Sequence, residues 1–148
     1  MNCEGLKKLK VLRKFEYGIH AAGVYLLEGK IVKKVYPSDE RSKKYFNKEI
    51  EMMEHLQDCK NVAKLIAYDR DELTLYMTYC GKTPEKTPEN LQKIRIAAEK
   101  LHKKWGVVRH DPDGKVTYDI FIKNTGIIDG KIYFFDLASS AWKLFPIH

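Results

Sequence analysis

Three acidic or amide side chains near the end of this 148-residue chain have the types and spacing that phosphoryl transfer requires. Asp119 is followed five residues later by Asn124, and Asp136 ends the apolar run 132–135. Such transfer needs a carboxylate that orients the attacking hydroxyl, and an amide and a second carboxylate that hold magnesium against the phosphates. Asp119 is therefore the candidate catalytic carboxylate, and Asn124 and Asp136 are the candidate magnesium ligands.

Two glycines far upstream offer a second element of phosphate chemistry. Gly18 and Gly23 lack a Cβ atom, so the backbone amides around them can approach phosphate oxygens closely. A purely structural hairpin explains Gly23 about as well, and both interpretations stay open at this point. We treat both glycines as candidate nucleotide-binding residues.

A lysine in a predicted strand is the third element. Lys33 alternates with Ile31 and Val35, so one strand face would carry all three and direct Lys33 inward. A buried ammonium needs a partner, and Glu49 in the following helix is expected to supply it. Lys34 is the rival for the inward position. The alternative interpretation is that Lys33 and Glu49 are ordinary surface residues of a half-buried strand and helix and form no functional site.

The elements that must position these residues predict an α+β fold. Apolar alternation and turn signals favour an antiparallel sheet with one helix in residues 1–80, and prolines favour a linker at 81–88. Residues 89–148 are expected to form a long helix and hairpins. The predicted strands are 23–27, 30–36, 62–68, 73–78, 107–108, 116–121, 127–128 and 132–135. The predicted helices are 45–56 and 89–104, with Ser38 or Asp39 as the expected N-cap of the first and with Pro88 and Gly106 at the ends of the second. Asp129-Gly130 indicates a type I′ turn between 127–128 and 132–135.

The ordered set resembles a protein kinase catalytic core over residues 18–140. The resemblance implies a bilobal kinase-like fold, with an antiparallel N-lobe sheet and one helix, then a truncated C-lobe of helix and hairpins. The matching segments are Gly23-Val24-Tyr25, Ile31-Val32-Lys33, Glu49, residues 75–81, residues 119–124 and Asp136.

The resemblance also implies a function. The implied activity is that of an ATP-dependent phosphotransferase, which would use Mg²⁺ to transfer the γ-phosphate to a hydroxyl group. The acceptor is expected to be Ser or Thr, and autophosphorylation is expected as well. Lys33, held by Glu49, would bind the phosphates. The residues implied to contact adenine, as apolar walls or at the hinge, are Val24, Ile31, Met77 and Tyr79.

The chain departs from the kinase pattern in several places. Thr117 and Tyr118 precede Asp119, Leu137-Ala138 follows Asp136, and only twelve residues remain after Asp136. The chain therefore looks like the compact atypical kinases, such as RIO-type kinases, the small kinase of the tRNA-threonylcarbamoylation complex, or miniature viral and effector kinases. The alternative function is that of a catalytically weak pseudokinase, a nucleotide-binding regulator of a partner protein.

Asp111 is a second candidate for the catalytic carboxylate. It ends the triplet Arg109-His110-Asp111, which follows the long helix at about the distance where a kinase has its His-Arg-Asp triplet. Val116 stands five residues later and cannot bind a metal. Asp119 is therefore given the role, and 109–115 is expected to form an inserted hairpin.

Composition restricts the setting and the partners. The net charge of +7 favours acidic partners, although the basic residues lack the interleaved aromatics of a nucleic-acid binder. The three cysteines, Cys3, Cys59 and Cys80, predict neither a disulfide framework nor a zinc site. No apolar run reaches the ~20 residues of a membrane span, so a cytoplasmic protein is expected. The apolar flank of helix 89–104 predicts a homodimer or a partner protein that covers it.

Overall fold

The computed structural model describes residues 3–15, 23–139 and 141–144 of a mixed α+β chain. The chain divides into two compact units. Unit 1 comprises Met1–Gln57 and Ala63–Tyr79, and unit 2 comprises Asp58–Val62 and Cys80–His148. The last boundary between the units falls between residues 79 and 80, just after the last strand of unit 1, so the predicted linker 81–88 belongs to unit 2.

Unit 1 is built on a five-stranded antiparallel sheet with the order β1-β2-β3-β5-β4. The three-residue loop 28–30 between β2 and β3 has positive φ angles at Gly29 (81°) and Lys30 (59°), the first of which glycine adopts at no steric cost. Sequence patterns predicted four of the strands and missed β1. The strands are β1 (Val11–Phe15), β2 (Gly23–Leu27), β3 (Ile31–Val35), β4 (Leu65–Asp69) and β5 (Thr74–Thr78).

Two helices cover the two faces of this sheet. Helix α1 (Cys3–Lys7) buries Leu6 against Leu27, Ala67 and Tyr76 on one face. Helix α2 (Glu40–His55) lies on the other face, where the rings of Phe46 and Tyr36 meet edge to face at 5.9 Å. Because both faces are buried, side chains on either face of β3 pack against protein.

The first turn of α2 is fixed by an aspartate. The backbone amide of Ser42 donates to the Asp39 carboxylate at 2.8 Å, as the predicted N-cap requires. This hydrogen bond holds the pKa of the Asp39 carboxyl below its ordinary value of 3.8. Ionised Asp39 thus stabilises the helix that carries Glu49.

We expect Asp39→Ala to lower the melting temperature measured by circular dichroism near neutral pH. A carboxyl whose folded pKa is depressed stabilises the fold above its ordinary pKa and loses that effect as pH falls through the folded pKa. The difference from wild type should therefore shrink at about pH 3. Asp39→Asn is the matched control, because asparagine caps equally well but carries no charge. A deficit in Asp39→Ala that is as large at acid pH as at neutral pH would contradict this account.

Unit 2 begins its regular structure with helix α3 (Pro88–Trp105). Thr87 caps the helix by accepting from the Asn90 amide at 3.1 Å, and Gly106, with a φ of 71°, ends it. Both ends agree with the sequence prediction. The inner face of α3 buries Ile94 and Leu101.

The remaining strands of unit 2 form one small sheet and one hairpin. The sheet has the order β10-β6-β7, and β8 pairs with β9. The predicted strand 116–121 is too long, because the strand ends at Thr117 and a 3₁₀ turn follows at Ile122–Asn124. The strands are β6 (Val107–His110), β7 (Val116–Thr117), β8 (Thr125–Ile128), β9 (Lys131–Phe134) and β10 (Trp142–Leu144).

The segment 81–88 packs against the β8 strand. Lys82 forms a β-bridge with Ile127, and a Cβ atom on Gly81 would lie 2.3 Å from the Ile127 carbonyl oxygen. A Cβ atom on Gly126 would similarly lie 1.9 Å from the carbonyl oxygen of Cys80. Close approach of the two backbones therefore requires glycine at both positions.

Among the described residues, no helix combines the length and the apolar character needed to cross a membrane.

Candidate functional site

A buried lysine–glutamate pair joins the third strand of unit 1 to its long helix. Lys34 Nζ donates to both carboxylate oxygens of Glu49, at 2.9 Å each. The predicted partner of Glu49, Lys33, is wrong by one residue. Side chains alternate along β3, so Lys34 shares the α2 face with Val32, while Lys33 lies on the α1 face opposite Tyr25 and Tyr76.

The Lys34–Glu49 pair is almost fully removed from solvent. Their side chains are 7% and 1% exposed. Tyr36 Oη also donates to Glu49 Oε2, and Lys34 Nζ lies 5.6 Å from the centre of the Tyr36 ring. Lys34, Glu49 and Tyr36 thus form a buried cluster in which the ammonium and the carboxylate are in direct contact.

Burial of this pair has an energetic cost. Desolvation of two charges offsets much of their mutual attraction, so such a pair adds little to net stability. Removal of one partner, however, leaves the other charge buried alone, at a cost of about 3–5 kcal/mol. A cluster that is costly to bury and gives little stability is a candidate for function.

Because Lys34 rather than Lys33 pairs with Glu49, the residues that can form the predicted apolar walls of the nucleotide site also change. Val24 and Met77 lie on the α2 face with Lys34, since Val24 is opposite Lys34 and Met77 is opposite Val32. Ile31 lies on the other face, packed against the cluster around Leu6, so its predicted place beside Val24 and Met77 is wrong. Val32, 6% exposed, occupies that place instead.

The predicted hinge residue Tyr79 ends unit 1. Its backbone amide donates to the carbonyl of Lys30 at 3.0 Å, so this amide can reach an adenine only if that bond breaks. Of the two glycines, Gly23 is buried at the start of β2, where an added Cβ would press on the Tyr25 ring. Gly18 lies outside the described residues.

In unit 2, the β8–β9 hairpin holds the two predicted magnesium ligands at one end. Thr125 is opposite Phe134, and the Phe135 amide donates to the Asn124 carbonyl at 3.3 Å. Asn124 is therefore paired with Phe135 in the backbone, and Asp136 is the next residue along the chain, so the two predicted ligands lie on adjoining backbone segments. The turn at the other end is Asp129-Gly130, with φ angles of 51° and 76°, as predicted for type I′.

The backbone of Asp136 has a left-handed conformation. Its φ of 60° lies in a region that most residues with a side chain avoid, although aspartate and asparagine adopt it more readily than others. Positive φ angles are uncommon outside glycine and are enriched at turns and functional sites. The end of the hairpin thus holds Asp136 in a defined backbone conformation on a segment that adjoins Asn124.

Asp119 is an exposed carboxylate held by an arginine of α3. Arg95 Nε and Nη2 both donate to Asp119 Oδ1, at 2.9 and 2.6 Å. The Asp119 side chain is 72% exposed, and its backbone amide donates to Thr117 Oγ1. Within the described residues, both side-chain contacts of Asp119 engage Oδ1, which leaves Oδ2 open to a substrate. Sequence reasoning did not anticipate Arg95, which lies 24 positions away.

The rival carboxylate, Asp111, has a structural role. Its Oδ1 accepts from the backbone amides of Asp113 and Lys115, each at 3.0 Å. These bonds shape the turn between β6 and β7, which pair as the hairpin that was predicted at 109–115. The geometry therefore ties Asp111 to its own loop.

The described part of the chain holds no group of three or more His, Cys, Asp or Glu side chains that could bind a metal ion. Magnesium that accompanies a nucleotide is usually bound by one or two protein oxygens together with phosphates and water. Asn124 and Asp136 are oxygen donors of the kind this ion prefers, and their number fits such a shared site.

Comparison with models of protein families and with curated proteins gives no match to this chain.

Proposed function

We propose that this protein is a minimal protein-kinase-like phosphotransferase that moves the γ-phosphate of ATP to a hydroxyl group. The observation that carries the proposal is the buried Lys34–Glu49 pair. In protein kinases a lysine of the third strand binds phosphates and pairs with a glutamate of the adjacent helix. Here the lysine lies on β3 and the glutamate on α2, with almost no solvent around either.

The hairpin end of unit 2 supports the same proposal. Kinases bind Mg²⁺ through an asparagine five residues after the catalytic aspartate and through a later aspartate. Asn124 and Asp136 match those positions and lie on adjoining backbone segments at one end of the hairpin. The magnesium would neutralise charge on the phosphates, while Asn124 and Asp136 orient it through their oxygens.

Asp119 would orient the acceptor hydroxyl and accept its proton through Oδ2. Its exposure leaves access for a substrate, and Arg95 fixes the rotamer through Oδ1. Phosphoryl transfer requires the protein mainly to position the reacting groups, and one carboxylate can position the acceptor hydroxyl. Serine or threonine of a protein, including this chain itself, is the proposed acceptor.

The proposed reaction fits the remaining features of the chain. Cys3, Cys59 and Cys80 form no disulfide bond within the described residues, and we propose a cytoplasmic setting for the protein. An antiparallel sheet with α2 in unit 1, and α3 with hairpins in unit 2, are the elements that a kinase-like bilobal fold uses.

The deciding experiment compares Asp119→Ala with Asp111→Ala. We expect Asp119→Ala to lower phosphate transfer from radiolabelled ATP by at least about a hundredfold, because a positioned proton acceptor contributes on that scale. ATP binding, followed by thermal shift, should stay near the wild-type value. Asp111→Ala should retain transfer apart from any loss of folded protein. Autophosphorylation that persists in Asp119→Ala and fails in folded Asp111→Ala would overturn the assignment.

The Arg95–Asp119 contact favours a second candidate function, a nucleotide-binding regulator with weak or no turnover. A guanidinium that occupies one oxygen of the carboxylate competes with an acceptor for the same group. The two functions separate by experiment: a thermal shift with Mg-ATP, without phosphate transfer in either wild type or Arg95→Ala, would favour the regulator.

A further inference from the structure

A basic groove runs along the outer side of α3 in unit 2. It has a volume of about 660 Å³ and lies between α3, the loop 58–61 and the β8–β9 turn. Five lysines and one carboxylate, that of Asp58, line it. The lysines are Lys60, Lys93, Lys100, Lys104 and Lys131. We call this surface the α3 groove.

The lysines of the α3 groove are mostly uncompensated. Lys93 lies 3.9 Å from Glu89, its neighbour one turn earlier. Lys60, Lys100 and Lys131 are exposed and have no ion pair within the described parts of the chain. The groove therefore carries a net positive potential that acidic groups would neutralise.

The floor of the groove is apolar. Ile96 is 44% exposed, Ala97 is half-buried beside it, and Leu101 and Ile132 lie beneath at 2% and 6%. An exposed isoleucine over a buried apolar layer is suited to receive one large apolar side chain. A pure anion would gain nothing from this floor.

The groove is long enough for an extended partner. Lys93, Lys100 and Lys104 follow one side of α3, spanning about 16 Å at 1.5 Å per residue. That length fits several carboxylates along a chain segment rather than a single small anion. Charges at the rim and an apolar anchor in the centre are the usual arrangement of a protein interface.

Nucleic acid fits the groove less well. Single-stranded binders stack bases on open aromatic faces. Trp105 is the one aromatic residue of the groove lining, and Lys104 Nζ lies over its ring at 5.7 Å. The groove lining thus offers one aromatic ring rather than a series of them, and the rest of the floor is aliphatic.

We propose that the α3 groove is a docking site for an acidic protein segment that carries a large aliphatic anchor side chain. The carboxylates of the segment would pair with Lys60, Lys100 and Lys131, and the anchor would cover Ile96. This interaction goes beyond phosphate transfer and does not depend on it.

The test uses a fluorescein-labelled synthetic peptide, a run of glutamates with two leucines one helical turn apart, and measures fluorescence polarisation. The double variant Lys100→Glu/Lys131→Glu should weaken binding by at least about tenfold, because attraction at two sites becomes repulsion. The matched control is Lys8→Glu/Lys44→Glu, which makes the same charge change at two exposed lysines of unit 1. It should weaken binding by no more than about twofold.

The apolar half of the proposal has its own pair of variants. Ile96→Ser should weaken peptide binding, while Val116→Ser, at a residue that is 46% exposed on β7, should not. A peptide with serine in place of leucine should bind more weakly to wild type than the leucine peptide does. All substituted positions are exposed, and circular dichroism verifies that each variant is folded.

Three outcomes would overturn the proposal. One is the absence of peptide binding to wild type. Another is that both double charge-reversal variants weaken peptide binding equally, because that result would show only a general attraction between a basic protein and an acidic peptide. The third is tighter binding of a single-stranded oligothymidylate through Lys100 and Lys131, which assigns the groove to nucleic acid.

Discussion

Lys34→Met is expected to lower phosphate transfer by at least about a hundredfold, the scale of loss when a preorganised charge is removed from a reacting phosphate. Lys33→Met should stay within about twofold of wild type, since Lys33 lies on the α1 face, away from Glu49. The two variants remove the same group from adjacent residues, so each is the matched control of the other. The measurement is label transfer from radiolabelled ATP to the chain itself, together with release of phosphate to water.

Loss of folding is the alternative explanation for an inactive Lys34→Met, because Glu49 would be left charged and buried. The double variant Lys34→Met/Glu49→Met removes both charges and should recover most of the melting temperature, as replacement of buried ion pairs by apolar residues often does. We expect the double variant to fold and to remain inactive. A folded double variant with wild-type transfer would show that the pair is only structural.

The error at Lys33 has a physical cause. The strand Ile31-Val32-Lys33-Lys34-Val35 has apolar residues on both faces, so alternation does not say which face is the site. Helix α1, which sequence patterns missed, buries the face of Ile31 and Lys33. One signal could have decided the register: Tyr36 extends the buried alternation of Val32 and Lys34, and Tyr36 reaches Glu49.

Local signals predicted the elements that have strong end markers. Pro88 and Gly106 bound α3, Asp39 starts α2, and Asp129-Gly130 closes the β8–β9 hairpin, each for a stated local reason. Strand β1 has no such marker, because its pattern is exposed almost throughout. Such an edge strand is defined by its partner β2 rather than by its own residues.

The candidate site shows the same division between local and distant information. The nearness of the Asn124 and Asp136 backbone segments follows from the hairpin register, which the turn residues indicate. The contact between Arg95 and Asp119 depends on how α3 packs against the segment after β7, and no pattern in either segment specifies it. Contacts of this kind become visible only in the folded chain.

The hairpin end leads to the second prediction of large effect. Asp136→Asn should reduce the magnesium-dependent part of ATP binding by at least about tenfold, since a ligand carboxylate loses its charge. Asparagine tolerates the left-handed backbone that Asp136 adopts, so the backbone conformation is kept. Asp129→Asn is the matched control, because Asp129 also has a positive φ, of 51°, in the same hairpin but at its far end.

The readout is the melting temperature with ATP and Mg²⁺ against that with ATP and EDTA, because a ligand that binds only the folded state raises it by mass action. In wild type and in Asp129→Asn, magnesium should widen the shift caused by ATP. In Asp136→Asn the shift with ATP and Mg²⁺ should equal the shift with ATP and EDTA, because the side chain proposed to bind the metal has lost its charge. If magnesium still widens the shift in Asp136→Asn and fails to do so in Asp129→Asn, the metal is bound at the turn and the proposed role of Asp136 is wrong.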